Sequence, residues 1–425
     1  MNEIFYQKTL ERKLKVLVII HGFPPYYMAG SELYTFIMCK ELSKNHEVII
    51  FTRIEDEFKE SYTIQDTFEN GCRIIRVNKP GRDYTFRSKY QDDKIAQIFQ
   101  QLIDDFVPDI VHINHLSHLS TQIIDIIKER EIPILFTLHD YWMICIKGQL
   151  INNENELCPG PSLRKCADCN RKYFISHENV LTEIGSWMNW MRVINEKIDL
   201  FIAPSLFLKN VYEEYGIQQK KIIHMDYGFD KMKINASNIK KNKSHKIRFG
   251  YLGRIIPVKG IVTLIDAFNQ VDHSKAELNI YGKIPSSFLY LKSRVYDSVV
   301  SFKGGYNYSN ICEVLSNIDV LVVPSIWYEN SPLVIHEAFL ARIPVIASNL
   351  GGMAELISNE KNGLLFESGN VEDLIEKMNI FIQNPELIEK YSQETPVRSI
   401  QEDVDEIVKL YNDLIQKKEI YPVVR

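Results

Sequence analysis

The chain has 425 residues, 45% hydrophobic and 25% charged, a soluble globular composition too long for one ordinary core. With 50 Lys and Arg against 55 Asp and Glu, the net charge is -5, and no basic surplus calls for nucleic acid. No apolar run reaches membrane-spanning length, and the N-terminal stretch lacks the basic-then-apolar layout of a signal peptide, so a cytoplasmic protein is expected.

Strand-like and helix-like segments alternate in two rounds. The first round places strands at 15–20, 47–51, 73–77, 109–113, 134–138 and 200–203, with helix-length segments such as 32–43 and 92–106 between them. Alternation of this kind predicts parallel sheets wound by right-handed crossovers. After the first strand, a loop from His21 to Gly30 leads into a helix. It is not a Gly-x-Gly-x-x-Gly fingerprint, which argues against a dehydrogenase. Gly30, lacking a Cβ, can bring its backbone against a ligand, although a plain turn glycine reads equally well. His139-Asp140 ends the fifth strand at a carboxyl edge, where open α/β sheets bind ligands. His112 and His115 sit at the end of another strand, and His115 is a candidate for acceptor or cleft contacts.

Seven cysteines in a chain of this kind argue against a disulfide framework. Four of them, Cys145, Cys158, Cys166 and Cys169, fall in one insertion, 145–170, just after His139. Cys166-Ala167-Asp168-Cys169 has the spacing of a metal hook, and four thiolates bind zinc tetrahedrally in a closed structural site. Free thiols, a redox pair and an iron–sulfur cluster are the alternatives. Cys39, Cys72 and Cys312 lie in apolar contexts and read as core. The stripe Trp187, Met188, Trp190, Met191, Val193 reads as core or interdomain packing, with a lipid-linked acceptor as the lesser alternative. The basic stretch 238–246 reads as a solvated linker, with peripheral contact to an anionic membrane as its minority reading.

The second round runs through 247–252, 278–282, 299–302, 319–324 and 345–347. Gly253-Arg254 and Lys259-Gly260 follow its first strand and precede a helix over 262–271. They place a guanidinium, which can fork onto phosphate oxygens, and a compact ammonium at a carboxyl edge. Glu329-Asn330-Ser331-Pro332-Leu333-Val334-Ile335-His336-Glu337 follows the strand at 319–324. Here Ser331 is expected as the N-cap and Pro332 at the first helical position, leaving the amides of Leu333 and Val334 as an anion site. Glu329 would lie in the loop before the helix, and Glu337 inside it, facing the same cleft. Amides for phosphate and carboxylates for hydroxyls suit a phosphorylated sugar.

With the run from Pro344 to Gly352, Glu355, and Asn362-Gly363-Leu364-Leu365-Phe366, these motifs resemble a retaining glycosyltransferase of family 4, the group 1 type with GT-B architecture. The resemblance covers 248–382 nearly throughout. It implies transfer of a sugar from a nucleotide-diphosphate donor to an acceptor hydroxyl with retention, in polysaccharide, glycolipid or glycoconjugate biosynthesis, and with no cofactor required for catalysis. By the same resemblance, Arg254 and Lys259 hold the diphosphate beside Ser331, Pro332 and Leu333. Glu337 binds the ribose, Glu329 and His139 contact the donor sugar at the catalytic centre, and Gly30 belongs to the family's glycine loop. Arg342 stands where the family usually has Gly just past a helix end, which puts the cap in question rather than the chemistry.

The expected fold is α/β: two Rossmann-like, doubly wound parallel-sheet domains facing across a cleft. Residues 1–205 would form the acceptor domain, completed by a C-terminal helix within 396–425, and 206–395 the donor domain. The expected partners are a nucleotide-diphosphate sugar and a sugar or lipid-linked acceptor, at or near the inner membrane face. A nucleotide-sugar epimerase of the same architecture and a non-catalytic sugar-nucleotide-binding protein are the competing readings.

Overall fold

The computed structural model describes residues 12–174, 179–242, 244–295, 299–393 and 395–420. Its first sheet contains β1 (Lys15–Ile19), β2 (Glu47–Ile54), β3 (Ile64–Glu69), β4 (Cys72–Asn78), β5 (Ile110–Ile113), β6 (Ile134–Thr137), β7 (Leu200–Ala203) and β8 (Ile222–His224). The second contains β9 (Ile247–Leu252), β10 (Ala276–Tyr281), β11 (Val300–Gly304), β12 (Val320–Val323), β13 (Val345–Ser348) and β14 (Gly363–Phe366). The strand orders are β3-β4-β2-β1-β5-β6-β7-β8 and β11-β10-β9-β12-β13-β14. Every pairing is parallel except β3 with β4. Two doubly wound α/β domains result, as the alternating pattern predicts.

Central strands such as β5, β6, β12 and β13 are buried at every residue, because helices cover both faces of a parallel sheet. That is why they read as continuous Val/Ile/Leu runs. The strands absent from the sequence expectation are of a different kind. β3 is an antiparallel edge strand whose residues are all exposed or half-exposed, so it carries no apolar run. β8 is a three-residue edge strand, and β14 is a four-residue one that starts at a glycine. The helix Leu206–Glu214 connects β7 to β8, which pairs with β7. The first sheet therefore extends past the boundary at 205.

The C-terminal helix Ile400–Ile420 returns to the first domain and packs on the helix Gly30–Leu42. Two buried polar contacts pin it there. Tyr34 Oη donates to Asp403 Oδ2 at 2.8 Å, and Tyr411 Oη meets His112 Nδ1 at 2.7 Å. Burial pushes the Asp403 carboxyl up to about 6, against the opposing effects of Tyr34 and Arg398. The stripe around Trp187 belongs to the helix Val180–Lys197, where Trp187 and Met191 are core side chains.

Candidate functional site

In each sheet the strand order reverses once at the centre, between β1 and β5 in the first and between β9 and β12 in the second. Ligands of open α/β sheets bind outside the carboxyl ends at these switch points. Arg254 and Lys259 follow β9, and the loop from Ser325 to Ser331 follows β12, so one switch point holds all the expected donor-side groups.

Glu329 is buried, and three donors converge on its Oε1: Lys259 Nζ at 2.5 Å, Ser325 Oγ at 2.7 Å and Trp327 Nε1 at 2.8 Å. Three converging donors hold this carboxylate in place. Its Oε2 takes none of these three bonds. Lys259 thus reaches the site already paired with Glu329, whereas the sequence treats the two as separate agents. Gly260 adopts φ +68°, and a Cβ there would lie 1.7 Å from Pro324 O, so only glycine lets the basic loop pack against the end of β12. Gly351 and Gly352 brace the other side. A Cβ on Gly352 would fall 1.5 Å from Asn330 O, and the Gly352 amide donates to Glu329 O at 2.9 Å.

The helix after the loop is Leu333–Leu340, with Pro332 at its N-cap and no side-chain cap. Ser331 is therefore not the cap the sequence suggests. Its hydroxyl donates to Asp226 Oδ1 at 2.7 Å and meets His336 Nε2 at 2.8 Å, so it is committed to tertiary contacts instead. Leu333 still opens the helix, and first-turn amides form the mouth. Glu337 lies one turn in and is buried, and burial raises its carboxyl to about 7. Tyr251 Oη donates to Arg254 O at 2.7 Å, and the Arg254 residue is exposed. Arg342 adopts φ +52°, and the Ile343 amide donates to Ala338 O at 2.8 Å. The glycine-type cap forms with arginine in the left-handed position.

From the first domain, Gly30 opens the helix Gly30–Leu42 directly opposite. A Cβ on it would stand 3.7 Å from the Leu333 side chain, so two helix starts face each other across the cleft. His139 lies at the start of the loop after β6. Its Nδ1 meets Tyr227 Oη at 2.7 Å and its Nε2 meets Asn114 Oδ1 at 3.0 Å. Burial drives its pKa down to about 3, so the ring is neutral. Asn114 Oδ1 can only accept, which puts the proton on Nε2 and makes Tyr227 the donor to Nδ1.

Several site residues carried no assigned role in the sequence reading. Asn330, buried between the domains, accepts from Ser205 Oγ at 2.8 Å and donates to Leu138 O at 3.1 Å. Glu355 accepts the Leu206 and Phe207 amides at 2.8 and 2.5 Å, capping a first-domain helix from the second domain. At the first sheet's switch point, the His21 and His115 rings lie 4.1 Å apart, tilted by 51°. His21 Nε2 lies 3.3 Å from Glu32 Oε1, and His115 Nε2 lies 3.3 Å from Asp140 Oδ2. His115 was the weaker sequence candidate. Its partners come from distant segments, and no local pattern reveals them.

The four insertion cysteines line one cavity of about 300 Å³. The closed tetrahedron expected from their spacing is not formed. Among the described residues, no group of three or more His, Cys, Asp or Glu is arranged to hold an ion. Cys158 Sγ is turned to donate to Gly160 O at 3.3 Å, and Cys169 Sγ lies 4.0 Å from Ile151 O.

Two parallel-sheet domains with paired switch points and a crossing C-terminal helix define the GT-B architecture. A model described as Glycosyltransferase Family 4 matches residues 28–230, and one described as Glycosyl transferases group 1 matches residues 232–398. Together they span both domains, and the chain is a GT-B glycosyltransferase. It is 24% identical over 364 residues to an uncharacterized 42.6 kDa protein in the cps region of Klebsiella pneumoniae, covering 81% of this chain and 87% of that one. It is 25% identical over 270 residues to the capsular polysaccharide biosynthesis glycosyltransferase CapM of Staphylococcus aureus, covering 56% of this chain and 69% of that one. Its fold is similar to that of Anabaena HepE in complex with UDP and glucose, with TM-score 0.62, 17% identity, and coverage of 97% and 100%. Among the described residues, no helix is long and apolar enough to cross a membrane.

Proposed function

We propose that the protein is a retaining glycosyltransferase that moves a sugar from a nucleotide-diphosphate donor to an acceptor hydroxyl in the assembly of a capsule-type polysaccharide or related glycoconjugate. One observation carries the reading: the mouth of the helix Leu333–Leu340, Arg254, and the Lys259–Glu329 pair share a switch point that faces the start of the helix Gly30–Leu42. The likeness to the two cps-region and capsule proteins supports the pathway class.

In this reading Arg254 and the helix-mouth amides stabilise the charge that grows on the departing nucleoside diphosphate. Lys259 adds a compact cation while holding Glu329 still. Glu329 Oε2 takes a donor-sugar hydroxyl, and Glu337 accepts the ribose hydroxyls. The neutral His139, protonated on Nε2 and tied to Asn114, positions the donor sugar from the opposite wall. With no enzyme nucleophile in this set, retention proceeds by front-face attack, the leaving phosphate taking the acceptor proton. Approach of the two domains excludes water and suppresses donor hydrolysis.

The test is a thermal-shift screen of nucleotide sugars, because a ligand selective for the native state raises its apparent stability. The stabilising donor is then incubated with oligosaccharide and lipid-linked acceptors, and the product anomer is read by NMR. A product whose anomeric configuration matches the donor supports the proposal. An inverted product refutes retention, and isomerised donor without acceptor identifies an epimerase.

A further inference from the structure

The insertion brings four thiols together from three stretches of chain. Cys145 sits in the turn after β6, where the Cys145 amide donates to Tyr141 O and the Gly148 amide to Cys145 O, each at 2.7 Å. Cys158 closes a small hairpin bridged at Ile151 and Leu157, its amide donating to Leu150 O at 2.8 Å. Cys166 and Cys169 lie one turn apart on one face of the helix Leu163–Asn170. All four border the cavity of about 300 Å³.

Four thiols gathered from separate stretches of chain around one cavity point to a ligand rather than to four idle side chains. Ile146, Leu150 and Ile151 anchor the start of the insertion in the first-domain core, but its eight-residue helix has no side-chain cap and buries only Ala167 in a small satellite cluster. A metal would staple that helix to the anchored part.

We propose that Cys145, Cys158, Cys166 and Cys169 form a structural zinc site that closes when the metal binds. To bind the ion, Cys158 and Cys169 would exchange their carbonyl partners, Gly160 O and Ile151 O, for the metal. Four soft thiolates select zinc over magnesium or calcium, and four protein ligands leave no open position for catalysis. On binding, the thiols release their protons to solvent and each sulfur donates a lone pair to the ion, with no change in oxidation state. The site's task is to hold the insertion against the first domain, where Lys89 Nζ donates to Ile146 O at 2.6 Å and Tyr215 Oη to Pro159 O at 2.5 Å.

The test measures metal in the full chain purified without chelator, independently of any transfer activity. Elemental analysis is expected to find about one zinc per chain. Cobalt exchanged into the wild-type protein is expected to show the visible bands of a tetrahedral thiolate site. Strong chelation is expected to expose four additional reactive thiols and lower the melting temperature, with recovery on adding zinc. Cys166→Ser is expected to lose the metal, while Cys312→Ser, outside the cluster, retains it. Metal-free protein whose melting temperature does not respond to zinc overturns the proposal. Iron with acid-labile sulfide overturns it in favour of a cluster, and zinc that survives Cys166→Ser places the ion elsewhere.

Discussion

The two switch points are built by different means. In the second domain, where we place the donor, backbone geometry does most of the positioning. Gly260, Gly351 and Gly352 press loops onto carbonyls, and Glu329 is locked by three donors. In the first domain, where we place the acceptor, side chains do it, and among the described residues His21 Nδ1, Arg53 Nε, Asn114 Nδ2 and Trp142 Nε1 are buried without hydrogen-bond partners. Unpaired buried donors cost free energy and mark where a ligand would bring its own oxygens. On the proposed function, a nucleotide diphosphate would be a constant shape that a rigid backbone can match, and an acceptor particular to its enzyme would be met by side chains, which are easier to vary.

If that contrast holds, the largest effects lie on the donor side. Arg254→Ala, at an exposed guanidinium, is expected to lower kcat by roughly 10²–10³-fold while the circular dichroism melt stays the same. Unchanged turnover would remove Arg254 from the diphosphate. Gly352→Ala should cost about 3 kcal/mol of folding stability, measured by urea unfolding, because the new methyl meets a carbonyl that cannot retreat. A silent substitution would show that the loop is less rigid than the contrast requires.

Next in size is a pH effect at Glu337. Burial penalises its charged form, so the folded protein holds the proton up to about pH 7, against 4.5 for an exposed glutamate. Accepting two ribose hydroxyls needs the carboxylate. Donor Kd is therefore expected to weaken by about tenfold per pH unit below 7, with Glu337→Gln abolishing the dependence. The stability linkage has the opposite sense: the penalty for the raised pKa grows as pH rises from 4.5 and levels off above 7. Calorimetric titration at pH 6 and 8 separates the two variants.

On the acceptor side, His115→Ala should raise the acceptor KM by about tenfold, as expected for losing one hydrogen-bonding group, and leave donor affinity unchanged. An equal loss of donor binding would erase the division of labour. The smallest effect is at the helix end behind the site. Arg342→Gly relieves a left-handed arginine and should stabilise the fold by no more than about 1 kcal/mol, seen as a small rise in the melting temperature.

How much was legible follows from locality. The buried strands were readable because parallel sheets demand unbroken apolar runs. Arg254, Lys259, Glu329 and Glu337 stood out because strand, loop and helix follow one another within short reach. Ser331 was misread for a related reason. A serine before proline has the chemistry of an N-cap, but Asp226 and His336, brought from elsewhere, claim its hydroxyl. β3 and β8 escaped notice because edge strands need not be apolar.

Chain order and residue type alone therefore decided the two-domain α/β plan, the donor-side charges and the presence of a four-cysteine insertion, since each rests on neighbours within one strand–loop–helix unit. Folding alone decided that Lys259 clasps Glu329, that Asn330 and Glu355 stitch the two halves, and that His21, Glu32, His115 and Asp140 converge. Those contacts join segments far apart in the chain, and such pairings depend on how the sheets are ordered and how the domains meet, which no local spacing encodes.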